Sequence, residues 1–379
     1  MTSLRCFVVT TSHTNTISIK VDGKDTIDDL RKKIKANEDY ELDEQDEFTV
    51  WKINLPKKEY RKKAGLVRSY IPFNLSVKEV LDGEELRVSK MKIEEIFPHA
   101  DKNYYHVAIQ ILPLPNNSAH IFVDDSNLFI EGKFAIGTRE KLGCNSSRGL
   151  QLQEFRIDHG MLLEVVLDGR PKGSKPVLVG SRPPSDENLW NFIRKYDYEV
   201  NVLDRNVQGC EKGVDPTLGY AIDSTVSSHP PGILILVAGD GDYYPHIMPA
   251  LHYNWKVEVW FWKQAISKRL KDAFSENNKV KFQSLEDRYK LFSYGDGVPS
   301  FKSNLAFLIL HGEAIYEWKN RDIFECFRSL DLFGWLKWVD NYTVHLYFKK
   351  GKLERAKKWI NENWQFLRFY NERKIIAGL

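Results

Sequence analysis

ILILVAGDGDYYPHI (Ile233–Ile247) is the stretch on which the fold turns. Five apolar residues in a row, Ile233–Val237, lie between Gly232 and Gly239. That length and that content of branched side chains fit a strand buried on both faces, the kind found in parallel sheets covered by helices. A strand so apolar ordinarily ends in a neutral turn. This one ends in Asp240 and Asp242, alternating with Gly239 and Gly241.

The segments around it alternate in the same way. HIFVDD (120–125), PVLVGS (176–181), YEVNVLD (198–204) and WKVEVWFW (255–262) read as strands, the last of them closing the unit. Between them, DHGMLLEVVLDG (158–169) reads as a helix stopped at Gly169, and SDENLWNFIRKY (185–196) as a helix capped by Ser185. DPTLGYAIDSTVS (215–227) reads as a helix with Asp215 at the N-cap and Pro216 at the favoured first position, and 243–254 as helical in part. Repeated β-α units with apolar strands give an α/β fold around a parallel sheet, and such sheets bind ligands at the carboxyl ends of their strands.

Those ends are acidic. The first strand runs into Asp124 and Asn127, the fourth into Asp240 and Asp242, and Asp215 opens the helix before that fourth strand. Right-handed crossovers can bring these ends to one rim of the sheet. Carboxylates gathered there repel one another, and Mg²⁺ or Mn²⁺, hard cations that take oxygen ligands, relieves the repulsion. Each signal alone has a plainer reading: Asp215 as a helix cap, GDGD as a tight turn. The ordered combination carries the metal reading.

In order, IFVDDSN, KGVDPTLGYAID, LILVAGDGDYYPHI and SKRLKDAF resemble the NYN domains of the PIN-like nuclease superfamily over about 120–275, within a domain set at 120–278. The resemblance implies a PIN-like α/β/α domain whose metal site is carried by Asp124, Asp215, Asp240 and Asp242. It further implies that Asn127 holds Asp124 and a nearby water, and that Ser267 closes the site. Asp223 lies eight residues beyond Asp215, turned about 80° from it on a helix, and is a supporting residue rather than a ligand of the same ion. Asp125 departs from the family pattern, which has a small residue there; it either adds charge to the site or points into solvent. Segment 129–157 reads as an insertion whose Arg139, Lys141 and Arg148 can hold a phosphate backbone. The implied chemistry is hydrolysis of phosphodiester bonds, with single-stranded RNA as the usual substrate.

The N-terminal residues 1–112 show a ββαβ order, with strands within 4–20 and 47–54 and a helix over 26–36 capped by Thr26, as in a ubiquitin-like β-grasp. A basic run, KKEYRKKAG (57–65), fits a solvated loop or a polyanion patch, and PLPNNSA (113–119) fits a linker. DTIDDLRKKIKA, DEFTVWKINLP and KMKIEEIFPHADKNYYHVAIQIL together resemble the N-terminal header of the Crinkler effector family. That resemblance implies a header that meets host proteins, ahead of a separate payload secreted and moved into a host cell by a non-classical route.

Residues 300–372 repeat a βαββαβ order, which is ferredoxin-like and the order of an RNA recognition motif. On YTVHLYFKK (342–350), Val344, Leu346 and Phe348 face the core. His345, Tyr347 and Lys349 share the opposite face as a stacking and phosphate-binding surface, although the motif's glycine and its aromatic pair in register are missing.

Composition sets the frame. With 42% apolar and 13% aromatic residues in 379, the chain can build several cores. Net charge is balanced over 1–116, −2 over 117–279 and +5 over 280–379, giving an acidic middle and a basic tail. Cys6, Cys144, Cys210 and Cys326 are scattered, which argues against a disulfide framework or a zinc site. No segment approaches the ~20 apolar residues of a membrane span. The expectation is a metal-dependent endoribonuclease acting in the cytoplasm or nucleus. The alternatives are a nuclease fold kept as an RNA- or protein-binding module, and a DNA-directed nuclease.

Overall fold

The computed structural model describes residues 2–9, 14–37, 47–60, 63, 77–78, 80–112, 116–182, 187–204, 213–299, 305–364 and 368–371. Ser185, Cys210, residues 113–115 of the linker and four residues of the basic run (61–62 and 64–65) lie outside them. Contacts divide the chain into two units. One holds Met1–His120, Gly219–Leu234 and Pro245–Val257; the other holds Ile121–Leu218, Ile235–Tyr244 and Glu258–Leu379.

In the first unit, β1 (Thr2–Val9), β2 (Thr14–Val21), β3 (Glu47–Pro56), β4 (Glu84–Glu85) and β5 (Tyr104–Leu112) form a sheet in the order β2-β1-β5-β3-β4. The first hairpin is antiparallel, β1 and β5 run parallel, and β3 returns antiparallel to β5 with an irregularity between Lys52 and Leu55. Helix α1 (Ile27–Lys35) is capped by Thr26, as the sequence implied, and the structure completes the cap as a reciprocal box with Asp29. It buries Ile27, Leu30 and Ile34 on the face of the sheet that carries Leu4, Cys6, Val8 and Ile19. The opposite face carries Phe7, Trp51, Ile53 and Leu55. The one-turn helix α2 (Ile93–Ile96) adds Ile93 and Ile96 to the α1 side.

The central sheet contains β6 (Ala119–Asp124), followed by helix α3 (Asp125–Glu140), the hairpin β7 (Cys144–Ser146) and β8 (Gly149–Gln151), the short β9 (Phe155–Ile157) and helix α4 (His159–Leu167). Strand β10 (Val177–Ser181), helix α5 (Asn188–Arg194), strand β11 (Glu199–Leu203) and helix α6 (Val214–Ser228) come next. The chain continues through β12 (Ile233–Val237), α7 (Tyr244–His252), β13 (Lys256–Phe261), α8 (Lys268–Glu276) and β14 (Val280–Ser284). Strand order is β11-β10-β6-β12-β13-β14, with β11, β10 and β6 paired parallel. All five expected strands are present. Strand β14 adds a sixth, so 255–262 is not the last.

Two local expectations change. The first part of segment 129–157 belongs to the 16-residue helix α3, which the sequence reading did not assign. Gly132 and Gly137 lower helix propensity and hid it. Gly132 is required by packing, since a Cβ there would lie 2.6 Å from the Phe155 ring and 3.0 Å from Trp262. In addition, α6 begins at Val214, so Asp215 sits in the first turn rather than at the cap.

The C-terminal sheet takes β15 (Ser293–Asp296), β16 (Leu305–His311), β17 (Trp335–Asp340), β18 (Thr343–Lys349) and β19 (Arg368–Asn371) in the order β19-β16-β18-β17-β15-β9. Helices α9 (Asn320–Ser329) and α10 (Leu353–Asn363) complete the expected βαββαβ order. The sheet extends past it, because β15 pairs with β17 and β9 pairs with β15. On β18 the burial alternates as expected, Val344, Leu346 and Phe348 inward.

Candidate active site at the strand exits

Numbering the central strands by chain order gives 3-2-1-4-5-6. The order reverses between β6 and β12, and in open α/β sheets that switch point is where ligands bind. Strand β6 ends there in Asp124, which is 3% exposed and caps α3: its Oδ1 accepts the Asn127 N–H at 2.9 Å. Asn127 in turn accepts the Gly239 N–H through Oδ1 at 2.9 Å, tying the first turn of α3 to the exit of β12. Gly239 admits no side chain, because a Cβ would stand 2.2 Å from the Phe261 ring. Its carbonyl accepts the Ser267 N–H at 2.9 Å, and Ser267 Oγ caps α8. Asn127 and Ser267 therefore both brace the exit turn.

Beyond Gly239, Asp240 caps a short 3-10 turn, Gly241–Tyr243, by accepting the Asp242 N–H at 3.1 Å. Asp240 and Asp242 are both exposed at the rim. The turn then buries Tyr243 completely. Its hydroxyl lies 2.8 Å from Asp124 Oδ2 and 3.0 Å from Asp215 Oδ1. A phenol has a single proton to donate, so two carboxylate oxygens bracket one hydrogen. Burial and the two flanking carboxylates push the phenol far above its usual ionisation range, so it stays protonated.

Of the four carboxylates read as ligands, two thus meet at one buried hydroxyl while two stand at the rim. Among the described residues, no group of three or more His, Cys, Asp or Glu side chains is gathered closely enough to hold a metal ion. The chemistry of the donor set still decides which ion suits it. Zinc wants three or four ligands, mostly nitrogen or sulfur. Mg²⁺ keeps several waters and takes one or two carboxylates together with substrate phosphates. Asp124 and Asp215 offer only oxygen donors, the donor type of the second ion and not of the first.

Tyr243 was the residue sequence reasoning missed. Its signal was an aromatic directly after the GDGD exit, read only as the start of a helical stretch.

Asp125 neither adds charge to this site nor points into solvent. It is buried and bonds His159 Nε2 at 2.7 Å, because neighbouring helical positions diverge by about 100°. Asp223 is exposed and pairs with His246 Nδ1 at 2.8 Å. Arg148 is held by both oxygens of Glu131, at 2.7 and 2.6 Å, and lies over the Phe134 ring. Lys141 is the exposed, left-handed C-cap of α3. Arg139 lies over the Tyr289 ring with Asp287 3.9 Å away. His345 and Tyr347 form a half-buried aromatic group with Phe307, at ring distances of 5.9 and 5.5 Å, and burial lowers the pKa of His345. Lys349 is ion-paired with Glu140 at the end of α3.

Residues 2–112 match the family model of the Crinkler effector protein N-terminal domain. No curated protein and no solved structure matches the chain. Among the described residues no helix is long and apolar enough to cross a membrane.

Proposed function

We propose that the chain is an effector whose header precedes a metal-dependent phosphodiesterase acting on single-stranded RNA. One observation carries the reading: Asp124 and Asp215, 91 positions apart in the sequence, converge on the buried Tyr243 hydroxyl at the switch point of the sheet. Asp124 and Asp215 would hold Mg²⁺ or Mn²⁺, with Asp240 and Asp242 at the rim. When bound, the ion supplies charge stabilisation at a phosphoryl oxygen and lowers the pKa of water. The chain's own residues do the positioning. Asn127 fixes the backbone of the exit turn against the cap of α3, and Tyr243 sets the spacing of the two carboxylates. The βαββαβ strand order of the C-terminal sheet, with His345, Tyr347 and Phe307 on one face, supports an RNA recognition motif-like surface for strand capture. The match of residues 2–112 supports transfer into a host cell.

The test is cleavage of end-labelled single-stranded RNA and DNA in parallel by the full chain, in Mn²⁺, Mg²⁺ or EDTA. Asp124→Asn and Asp215→Asn are compared with wild type. Metal-dependent RNA cutting that both substitutions abolish supports the reading. Cutting that survives them refutes it. RNA bound without cutting moves the assignment to a non-catalytic binding module, and preferential DNA cutting moves the substrate.

A further inference from the structure

We infer that a cationic pocket at the far end of α3 holds backbone phosphates of a single-stranded RNA, an assignment that deepens the substrate reading above. The pocket has a volume of about 290 Å³ and draws cations from four places: Arg139 on α3, Lys290 after the turn that follows β14, Lys349 on β18, and Lys352 and Arg355 around the start of α10. Only two acids line it, Glu140 and Asp331. Both are already engaged, Glu140 by Lys349 and the Tyr289 hydroxyl, Asp331 by Lys290 at 3.1 Å. Arg139 also has Asp287 at 3.9 Å, so three of the five cations face a carboxylate and two, Lys352 and Arg355, do not. Lys352 and Arg355 are exposed and have no carboxylate partner among the described residues.

Uncompensated cations around a concave wall attract phosphate, and each contact adds a salt-dependent increment to affinity. The Glu140 pair acts as a brace here: it fixes Lys349 beside the end of α3. The helix also sets a ruler. Its 16 residues begin directly after Asp124 and end at Glu140, which at 1.5 Å per residue is about 24 Å. At about 3.4 Å per stacked nucleotide, a strand needs roughly seven nucleotides to run from pocket to strand exit. A mononucleotide cannot span that distance, so the proposed ligand is a strand of at least that length.

The test measures fluorescence anisotropy of a labelled 20-nucleotide oligouridylate bound to the full chain in EDTA, across 50–300 mM KCl. Working without metal separates binding from cleavage, so failure of the nuclease assignment and failure of this one are distinguishable. Lys352→Ala/Arg355→Ala is expected to weaken binding roughly tenfold and to shrink the slope of log K against log salt by about 1.4, two contacts at about 0.7 each. Lys352→Arg/Arg355→Lys, which keeps both charges, is expected to retain wild-type affinity, as is Lys358→Ala elsewhere on α10. Unchanged affinity and slope in the double alanine variant would overturn the assignment. So would equal loss in the charge-conserving variant, or full displacement of the RNA by uridine monophosphate at equal phosphate concentration.

Discussion

Tyr243→Phe isolates the one atom on which the candidate site depends. The ring is fully buried, and Phe keeps its shape, so packing is unchanged and only the hydroxyl is lost. That hydroxyl contacts two carboxylate oxygens, one on Asp124, which is itself 3% exposed. Hydrogen bonds to charged groups contribute about 1.5–3 kcal/mol. Taking about 2 kcal/mol, and about 2–4 °C per kcal/mol for a body of 150–250 residues, Tm should fall by about 4–8 °C in EDTA. Adding Mn²⁺ should restore more of that loss in the variant than it adds to wild type, because a cation can then occupy the space between the carboxylates. Thermal unfolding by circular dichroism, with and without Mn²⁺, reads both effects. The phenol also shapes the alkaline limb. Its pKa is raised in the fold, so its contribution is complete below pH ~10 and is lost as pH rises further, while the unfolded chain ionises first. The variant should lose stability above pH ~10 less steeply, by about 1.4 kcal/mol per pH unit. A Tm within 1 °C of wild type in EDTA, with an unchanged alkaline limb, would refute the argument that this hydroxyl bridges the two acids.

Asp125→Ala should lower stability by about 1–3 kcal/mol, the cost of leaving a buried His159 nitrogen without its hydrogen-bond partner, yet leave any Mn²⁺-induced rise in Tm intact; loss of that rise would instead make Asp125 a ligand. Gly239→Ala should give little folded protein on size exclusion, since its Cβ would meet both the Phe261 ring and the Ala265 carbonyl, at 2.2 and 2.8 Å. His120, packed between His229 and Trp255, has its pKa lowered to about 4, first by burial and then by His229. Its contribution is present above pH ~6.5 and drains away as pH falls toward 4, by up to about 3 kcal/mol, so His120→Gln should flatten the acid limb of a Tm-versus-pH curve.

Much of the architecture was legible because its causes act within a few residues. Alternation along 342–350 separates core from surface on β18, the Thr26 cap starts α1, and the apolar run 233–237 is a buried strand. The acidic strand exits were legible for the same reason, as charges set directly after buried segments. Helix α3 was not legible because Gly132 answers to Phe155 and Trp262, and Gly137 to the Leu150 carbonyl, rather than to helix propensity. Which acids meet was also out of reach: Tyr243 joins Asp124 and Asp215 across 119 and 28 positions, and Asp125 turns from Asp124 to His159 by one step of a helix. Arg139 and Lys349, read as parts of separate domains, line one pocket because Glu140 draws Lys349 to the end of α3. The sequence determined the elements and the charge at their ends, since propensity, capping and burial pattern are local. The tertiary structure decided the partners, since strand order and crossover packing alone bring distant side chains within bonding distance.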